Sequence, residues 1–443
     1  MISTYKLSLQ QENVLFGALL GNVGMEQHVY KVSNTFCRDA FIKAWDIVIS
    51  VNEVLKSHIE WKNNYLARQC VDIDKIHEIE YIDLTKISID KAEQQMLIKI
   101  MEQRDCILDL QKQLFKITVY IISDSIFYME IINHHILFDG WSNSIILNEW
   151  LQNYYNISAN KFIEKEQKTK YKSYVEYQQK YLENISNSQI TYWKNYLDPC
   201  TDYCVNNKLG YLERYQKHNL ALKKDKYAEL EYKCDELQQL QMLGRKLQIS
   251  YASIIYALWS VLLSSLSGNP NILFGFVRSG RTIPLQGIDK MVGLFIETLP
   301  FFTVINKSMK LIDYFKCAHK TLLEINGQVH VAFKQYEKYN LSKIGHVLYD
   351  NIVTIQNYPI SQKLYGKGDF SLYKKYHTSN TKLSLSILME PLYTITFTYN
   401  TLYYTEEFIN RIVNLMQMSI IKIINENDAM VNVEDLVRFI QES

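Results

Sequence analysis

The chain is poor in residues that break or staple a backbone. Its 443 residues include six prolines and 15 glycines, too few for a collagen-like or low-complexity protein. The seven cysteines are odd in number and thinly spread, whereas a disulfide framework needs dense, even-numbered ones. Cys200 and Cys204 stand four apart, but no second pair or His-x-x-x-His follows at zinc spacing. They read as reduced thiols.

Charge of one sign is lacking too. Lys and Arg number 48 and Asp and Glu 47, a formal charge of +1. Nucleic-acid binders draw affinity from concentrated positive charge, so no nucleic-acid partner is expected. The N-terminus has no basic stretch leading into an apolar core, so no signal peptide is expected and a cytoplasmic location is. The strongly apolar run Ile249 to Leu266 is interrupted by serines and ends at Ser-Gly-Asn-Pro (267–270). It is shorter than the ~20 residues of a membrane span and reads as a core helix feeding a buried strand at 271–277. No membrane partner is expected.

What is present is an ordinary globular composition, 47% hydrophobic and 21% charged, with length for two or three folded units at about 150 residues each. Helical spacing of apolar residues marks 9–20, 39–54 and 90–101. Residues 58–71 alternate like a hairpin turning at 62–64, and 114–123 with 126–132 form a second antiparallel pair. Ser142 or Asn143 can cap a helix running to about Tyr155. A polar stretch, 161–172, reads as a solvated connection between halves. Beyond it the spacing predicts helices at 174–196, 235–247, 250–266, from 312 and at 405–425. Strands are predicted at 271–277, 294–305, 346–357, 382–389 and 392–399. Without strict βαβ alternation this predicts an α+β protein of two lobes, 1–170 and 171–443.

The strongest local signal is His134-His135-Ile-Leu-Phe-Asp139-Gly140-Trp141-Ser142. Adjacent residues at a strand's end point to opposite faces, so one imidazole can look into a cleft while the other packs behind it. Asp139 can reach back to hold His135 or pair with a cation elsewhere. Gly140 permits close backbone approach or a positive φ, and the helix start that follows favours developing negative charge. An imidazole there suits removal of a proton from an attacking amine or hydroxyl. A packing role for the pair is the plainer alternative. Metal ligation is not expected, because the two side chains diverge.

HHILFDGWS resembles the HHxxxDG motif of the condensation domains of nonribosomal peptide synthetases, in the chloramphenicol-acetyltransferase-like superfamily. Further segments resemble the family's other elements in order: LSLQQENVLF (7–16), NEVLKSHI (52–59), YKSYVEYQQKYL (171–182), FGFVRSGRTIPLQGIDKMVGLFIETLPFF (274–302) and LYDNIVTIQNYP (348–359). Three features depart from the pattern, one being the segment around 328–338 (QVHVAFKQYEK), which matches its family counterpart poorly. Lys56 stands where the family usually has an arginine thought to brace the motif aspartate. Glu297 stands where asparagine is usual.

The resemblance implies two acetyltransferase-like lobes forming a V-shaped pseudo-dimer with a central tunnel. It implies amide bond formation between a donor thioester and an acceptor amine, each on the phosphopantetheine arm of a peptidyl carrier protein, with adenylation and carrier modules as neighbours. No permanently bound cofactor or metal is implied. His135 is the expected catalytic group, as base or as positioning group, with Asp139, His134 and Gly140 around it. Trp141, Ser142, Glu297 and Ser279 are expected at the substrate, and Lys56 (through Asp139) and Arg281 in support. Alternatives are an acyltransferase using a soluble amine or alcohol, an epimerising relative, or a non-catalytic interaction domain. Epimerising relatives usually have Val-Ser-Trp after the Asp-Gly.

Overall fold

The computed structural model describes residues 2–21, 24–61, 67–75, 77–104, 108–163, 166–203, 227–328, 350–356, 369–377, 381–389, 392–425 and 432–443. The expected turn at 62–64, Cys106, Cys204 and the segment 329–338 lie outside these residues. The chain divides into two compact units. Unit 1 comprises Met1–Tyr181, Ser279–Ile296 and Tyr358–Asn380; unit 2 comprises Leu182–Arg278, Glu297–Asn357 and Thr381–Ser443. A single cut between 170 and 171 is therefore corrected. Two later segments return to unit 1, because their backbone and side-chain bonds are made to it.

Unit 1 opens with β1 (Ile2–Lys6), α1 (Leu9–Gly21) and β2 (Met25–Val32). Next come α2 (Arg38–Val51), β3 (Ser57–Glu60), β4 (Arg68–Asp72) and β5 (Ile79–Asp83). They are followed by α3 (Ile89–Arg104), β6 (Phe115–Ser123), β7 (Ile126–His134), α4 (Gly140–Ser158) and α5 (Tyr171–Glu183). Unit 2 holds α6 (Asn187–Tyr203), β8 (Tyr227–Lys233), α7 (Leu237–Leu247), α8 (Tyr251–Ser267), β9 (Asn271–Arg278), β10 (Glu297–Val304) and α9 (Leu311–Asn326). Then come β11 (Asn351–Gln356), β12 (Phe370–His377, in unit 1), β13 (Leu383–Leu388), β14 (Thr394–Asn400), α10 (Glu406–Asn425) and α11 (Val433–Glu442).

In unit 1 the main sheet has the order β12-β2-β7-β6-β5. β7 is its middle strand, antiparallel to both neighbours. Helix α3 places Ala92, Met96 and Ile100 against Tyr120, Ile122 and Tyr128 on one face. Phe41 and Trp45 of α2 and Trp150 of α4 pack with Phe127, Met129 and Ile131 on the other. Covered on both sides, β7 is buried almost throughout and shows no alternation, its apolar run being broken only by the buried Glu130 before Asn133 and His134. A smaller sheet, β1-β4-β3, completes the unit.

Unit 2 is built on the sheet β10-β9-β11-β13-β14-β8. The apolar run at 249–266 is α8, whose side chains from Ser253 to Ser264 are all buried in that unit. Its N-cap Ser250 accepts the Ser253 N–H, and Gly268 closes it with a left-handed φ of 72°. No single described helix is long and apolar enough to cross a membrane.

Several expectations are corrected. The helix expected at 174–196 is two helices, α5 and α6. The cap of α4 is Asp139, three residues earlier than Ser142. The stretch 161–172 is not simply solvated: Lys168 is buried, donating to Asn52 at 2.9 Å and to Glu149, and Tyr171 is buried.

Candidate active site

Pairing of β2 with β7 ends at Met25 opposite His134, so the sheet carries the first histidine into the interior and releases the second. His134 is buried, and its Nδ1 accepts the Ile136 N–H at 3.2 Å. The His135 N–H donates to the Gly24 carbonyl at 2.6 Å. Ile136, Leu137, Phe138 and Asp139 are buried as well. Between His134 and Asp139, His135 alone keeps an accessible side chain, 24% exposed.

The ring of His135 is oriented from one side. Its Nδ1 lies 3.1 Å from the Phe138 carbonyl oxygen and 3.3 Å from Oε1 of Glu26. Both are acceptors only, so Nδ1 carries a proton. Among the described residues no group hydrogen-bonds Nε2. Burial pulls the His135 pKa down, but the Glu26 carboxylate, the hydrogen bond to it, Asp139 and the Phe138 carbonyl outweigh burial and raise it to about 9. Burial likewise opposes ionisation of Glu26, but His135, with His28 and the Asn133 amide, lowers its pKa to about 2. The two form an ion pair at neutral pH.

Asp139 turns away from His135. Its Oδ1 accepts the Ser142 N–H at 2.8 Å, capping α4. Its Oδ2 accepts the N–H groups of Phe295 at 2.9 Å and Ile296 at 3.3 Å, and its own N–H donates to Gly293 at 3.2 Å. Arg281 lies 3.6 Å from Oδ1. Of the two uses open to Asp139, the structure takes the cation elsewhere.

Arg281 is the brace expected of Lys56. The Lys56 ammonium instead donates to the Ile73 carbonyl at 2.6 Å. It sits beside the β1-β4-β3 sheet, whereas a planar, multi-donor guanidinium suits the crowded Asp139 site. Arg281 donates to the carbonyls of Met291 at 2.9 Å and Ile288, and to Ser142 Oγ at 2.8 Å. Its guanidinium lies 3.9 Å from the centre of the Phe295 ring.

The remaining expectations divide. Gly140 opens α4 and does not have a positive φ, so the left-handed option is not used there. Ser142 is fully buried, donating to the Gly293 carbonyl at 2.7 Å and accepting its N–H at 3.1 Å. Placement at the substrate is therefore corrected for Ser142: its hydroxyl is consumed internally. Trp141 is half-buried and donates to the Asp289 carbonyl at 3.2 Å. Ser279, also half-buried, accepts the Arg281 N–H at 3.4 Å. Glu297 belongs to unit 2, where it faces Arg278 across the β9–β10 pair at 2.5 Å.

Three residues escape sequence reasoning. Glu26 sits on a strand, MEQHVYKV, too polar to register as one. Gly24 has φ +102°, and a Cβ there would lie 2.9 Å from the His134 ring; a lone glycine before a polar run was the available signal. Gly293 lies so close to Tyr171 that a Cβ would come within 2.0 Å of its ring.

The sequence model of the condensation domain matches residues 1–440. Gramicidin S synthase 2 of Brevibacillus brevis is 25% identical over 427 residues, covering 92% of this chain and 9% of the relative. Surfactin synthase subunit 2 of Bacillus subtilis (strain 168) is 25% identical over 430 residues, 92% of this chain and 11% of the relative. The chain thus spans a small part of these relatives. Among solved structures, the first condensation domain of the calcium-dependent antibiotic synthetase, in complex with a substrate analogue, superposes with a TM-score of 0.76. It is 12% identical, with 98% of each chain covered. A four-domain nonribosomal peptide synthetase bound to AMP and glycine superposes at 0.77 and 15% identity, covering 98% of this chain and 34% of that one. With its two-histidine motif at the end of a central strand and the family match over residues 1–440, this chain belongs to the condensation-domain family of the nonribosomal peptide synthetases.

Proposed function

We propose that the chain forms an amide bond between a donor acyl or peptidyl thioester and an acceptor amine, both carried on phosphopantetheine arms of carrier proteins. The observation that carries this reading is the accessibility of His135 within a buried run, with its Nδ1 engaged and Nε2 left to a substrate. The thioester is already activated, so no covalent intermediate on the chain is required. Holding amine and thioester together supplies up to about 7–11 kcal/mol of the barrier when orientation is ideal. Asp139, Ser142 and Arg281 keep the 279–296 segment against the start of α4 and so fix the loop that presents His135. No permanently bound cofactor or metal takes part in this reading. His134 packs behind the site, and Trp141 and Ser279 border it.

Reconstitution tests this. Wild-type chain is mixed with loaded donor and acceptor carrier proteins, and the acceptor is followed by intact mass. Gain of the donor acyl mass on the acceptor carrier supports the proposal. Transfer only to a free amine or alcohol would replace it by a soluble-acceptor acyltransferase, and no transfer in either format would favour a non-catalytic interaction domain.

A further inference from the structure

The two acceptors at Nδ1 of His135 are not equivalent. The Phe138 carbonyl belongs to the same loop and turns with it. Glu26 comes from β2, a strand locked between β7 and β12. Its other oxygen is held by the Asn133 amide at 2.9 Å, from the residue paired with it across the sheet. The carboxylate is thus fixed to the sheet, and the ring is fixed to the carboxylate. Asp139, the other acid near the ring, is occupied by Arg281 and three backbone N–H groups. Among the described residues, the charged groups that act on the ring are Glu26 from β2 and Asp139 at the cap of α4, with His28 beside Glu26 and Arg281 beside Asp139. Among them Glu26 alone combines negative charge with direct contact.

Resting on the condensation reading, we propose that Glu26 is a positioning residue: it holds His135 as a fixed cation whose Nε2–H meets the oxyanion of the tetrahedral intermediate, instead of leaving the ring a base for the amine. The amine arrives neutral, its lone pair forms the C–N bond, and the carbonyl π pair moves onto oxygen beside Nε2–H. When the intermediate collapses, the C–S bond breaks and its electron pair leaves on sulfur. The proton shed by nitrogen ends on that thiolate, so His135 carries none away. The pair also explains how a largely buried imidazole keeps a proton above its ordinary pKa.

The test uses the full chain with ¹⁵N-labelled histidine, the His135 signals being assigned by loss in His135→Gln. At pH 7.5 both ring nitrogens of His135 in the wild type show the shifts of a charged imidazolium, and in Glu26→Gln those of a neutral ring. With loaded carriers, Glu26→Gln lowers kcat by roughly 10-fold or more at unchanged KM, and the alkaline limb of its kcat–pH profile moves to lower pH. Glu26→Asp recovers part of both. A ring neutral in the wild type, or equally charged in Glu26→Gln, overturns the proposal whether or not amide forms. A charged wild-type ring with no amide from any loaded pair overturns the condensation activity itself, and the step with it, while leaving the ion pair standing.

Discussion

Phe295 donates its backbone N–H to Oδ2 of Asp139 at 2.9 Å, across a sequence separation of 156 residues. That bond, repeated by Ile296, makes the motif aspartate the point where a distant segment of unit 1 is tied to the histidine loop. Asp139→Ala removes the α4 cap and leaves the Arg281 cation buried. We expect a loss of about 3–5 kcal/mol in urea unfolding, with Asp139→Asn losing less because the amide oxygen can still cap.

The cation that matters to this aspartate is Arg281. Arg281→Lys cannot reach the Met291 carbonyl, Ser142 and Asp139 together, and is expected to cost about 2 kcal/mol or more. Lys56→Ala forfeits one bond to a carbonyl on an exposed edge and should cost less than about 1 kcal/mol. Urea midpoints of the two variants measured side by side check the order; a larger loss for Lys56→Ala would reverse the assignment.

Gly293 is required by the closeness of Tyr171. The Tyr171 hydroxyl is held by the Leu294 carbonyl at 2.7 Å and Ser8 at 3.0 Å, so the ring cannot swing from a new Cβ. Gly293→Ala should destabilise the chain by about 1–3 kcal/mol through overpacking. Because Gly293 also serves Ser142 and Asp139, the variant should lose protection of the 293–296 amides in hydrogen exchange.

Away from the site, Glu130 is fully buried on β7, accepting from Tyr120 at 2.7 Å and from Gln27. Burial raises its pKa to about 7, against the opposing pull of those two hydrogen bonds. The folded state thus holds this proton more tightly than the unfolded state, whose pKa is near 4.5. Its contribution to stability is fully present below the unfolded value and is lost as pH rises towards 7, a loss of about 3 kcal/mol at most. Stability of Glu130→Gln minus that of wild type should therefore climb from pH 5 to pH 8. A flat difference would contradict the shift.

Local pattern made much of this molecule legible. The β6–β7 pair, helices α2, α3 and α8 and the His-His-x-x-x-Asp-Gly constellation all declare themselves in short windows of sequence. What stayed hidden depends on distant partners. β2 carries Glu26 and Gln27 because their polar groups meet Asn133 and Glu130 of β7 across the sheet, so its alternation is masked. β12 pairs with it from the far end of the chain. The cation at Asp139 is Arg281 and not the expected Lys56, since spacing does not say which cation folds back. Ser142 sits at the start of the helix where an accessible hydroxyl would be useful, and only the closure of 279–296 over it shows that it is consumed.

The most direct test is a single-turnover assay of His135→Ala with loaded donor and acceptor carriers, beside wild type. Far-UV circular dichroism and urea midpoint serve as folding controls. A properly folded variant should transfer the acyl group at least about 100-fold more slowly; transfer at the wild-type rate would contradict the assignment of this imidazole to the reaction.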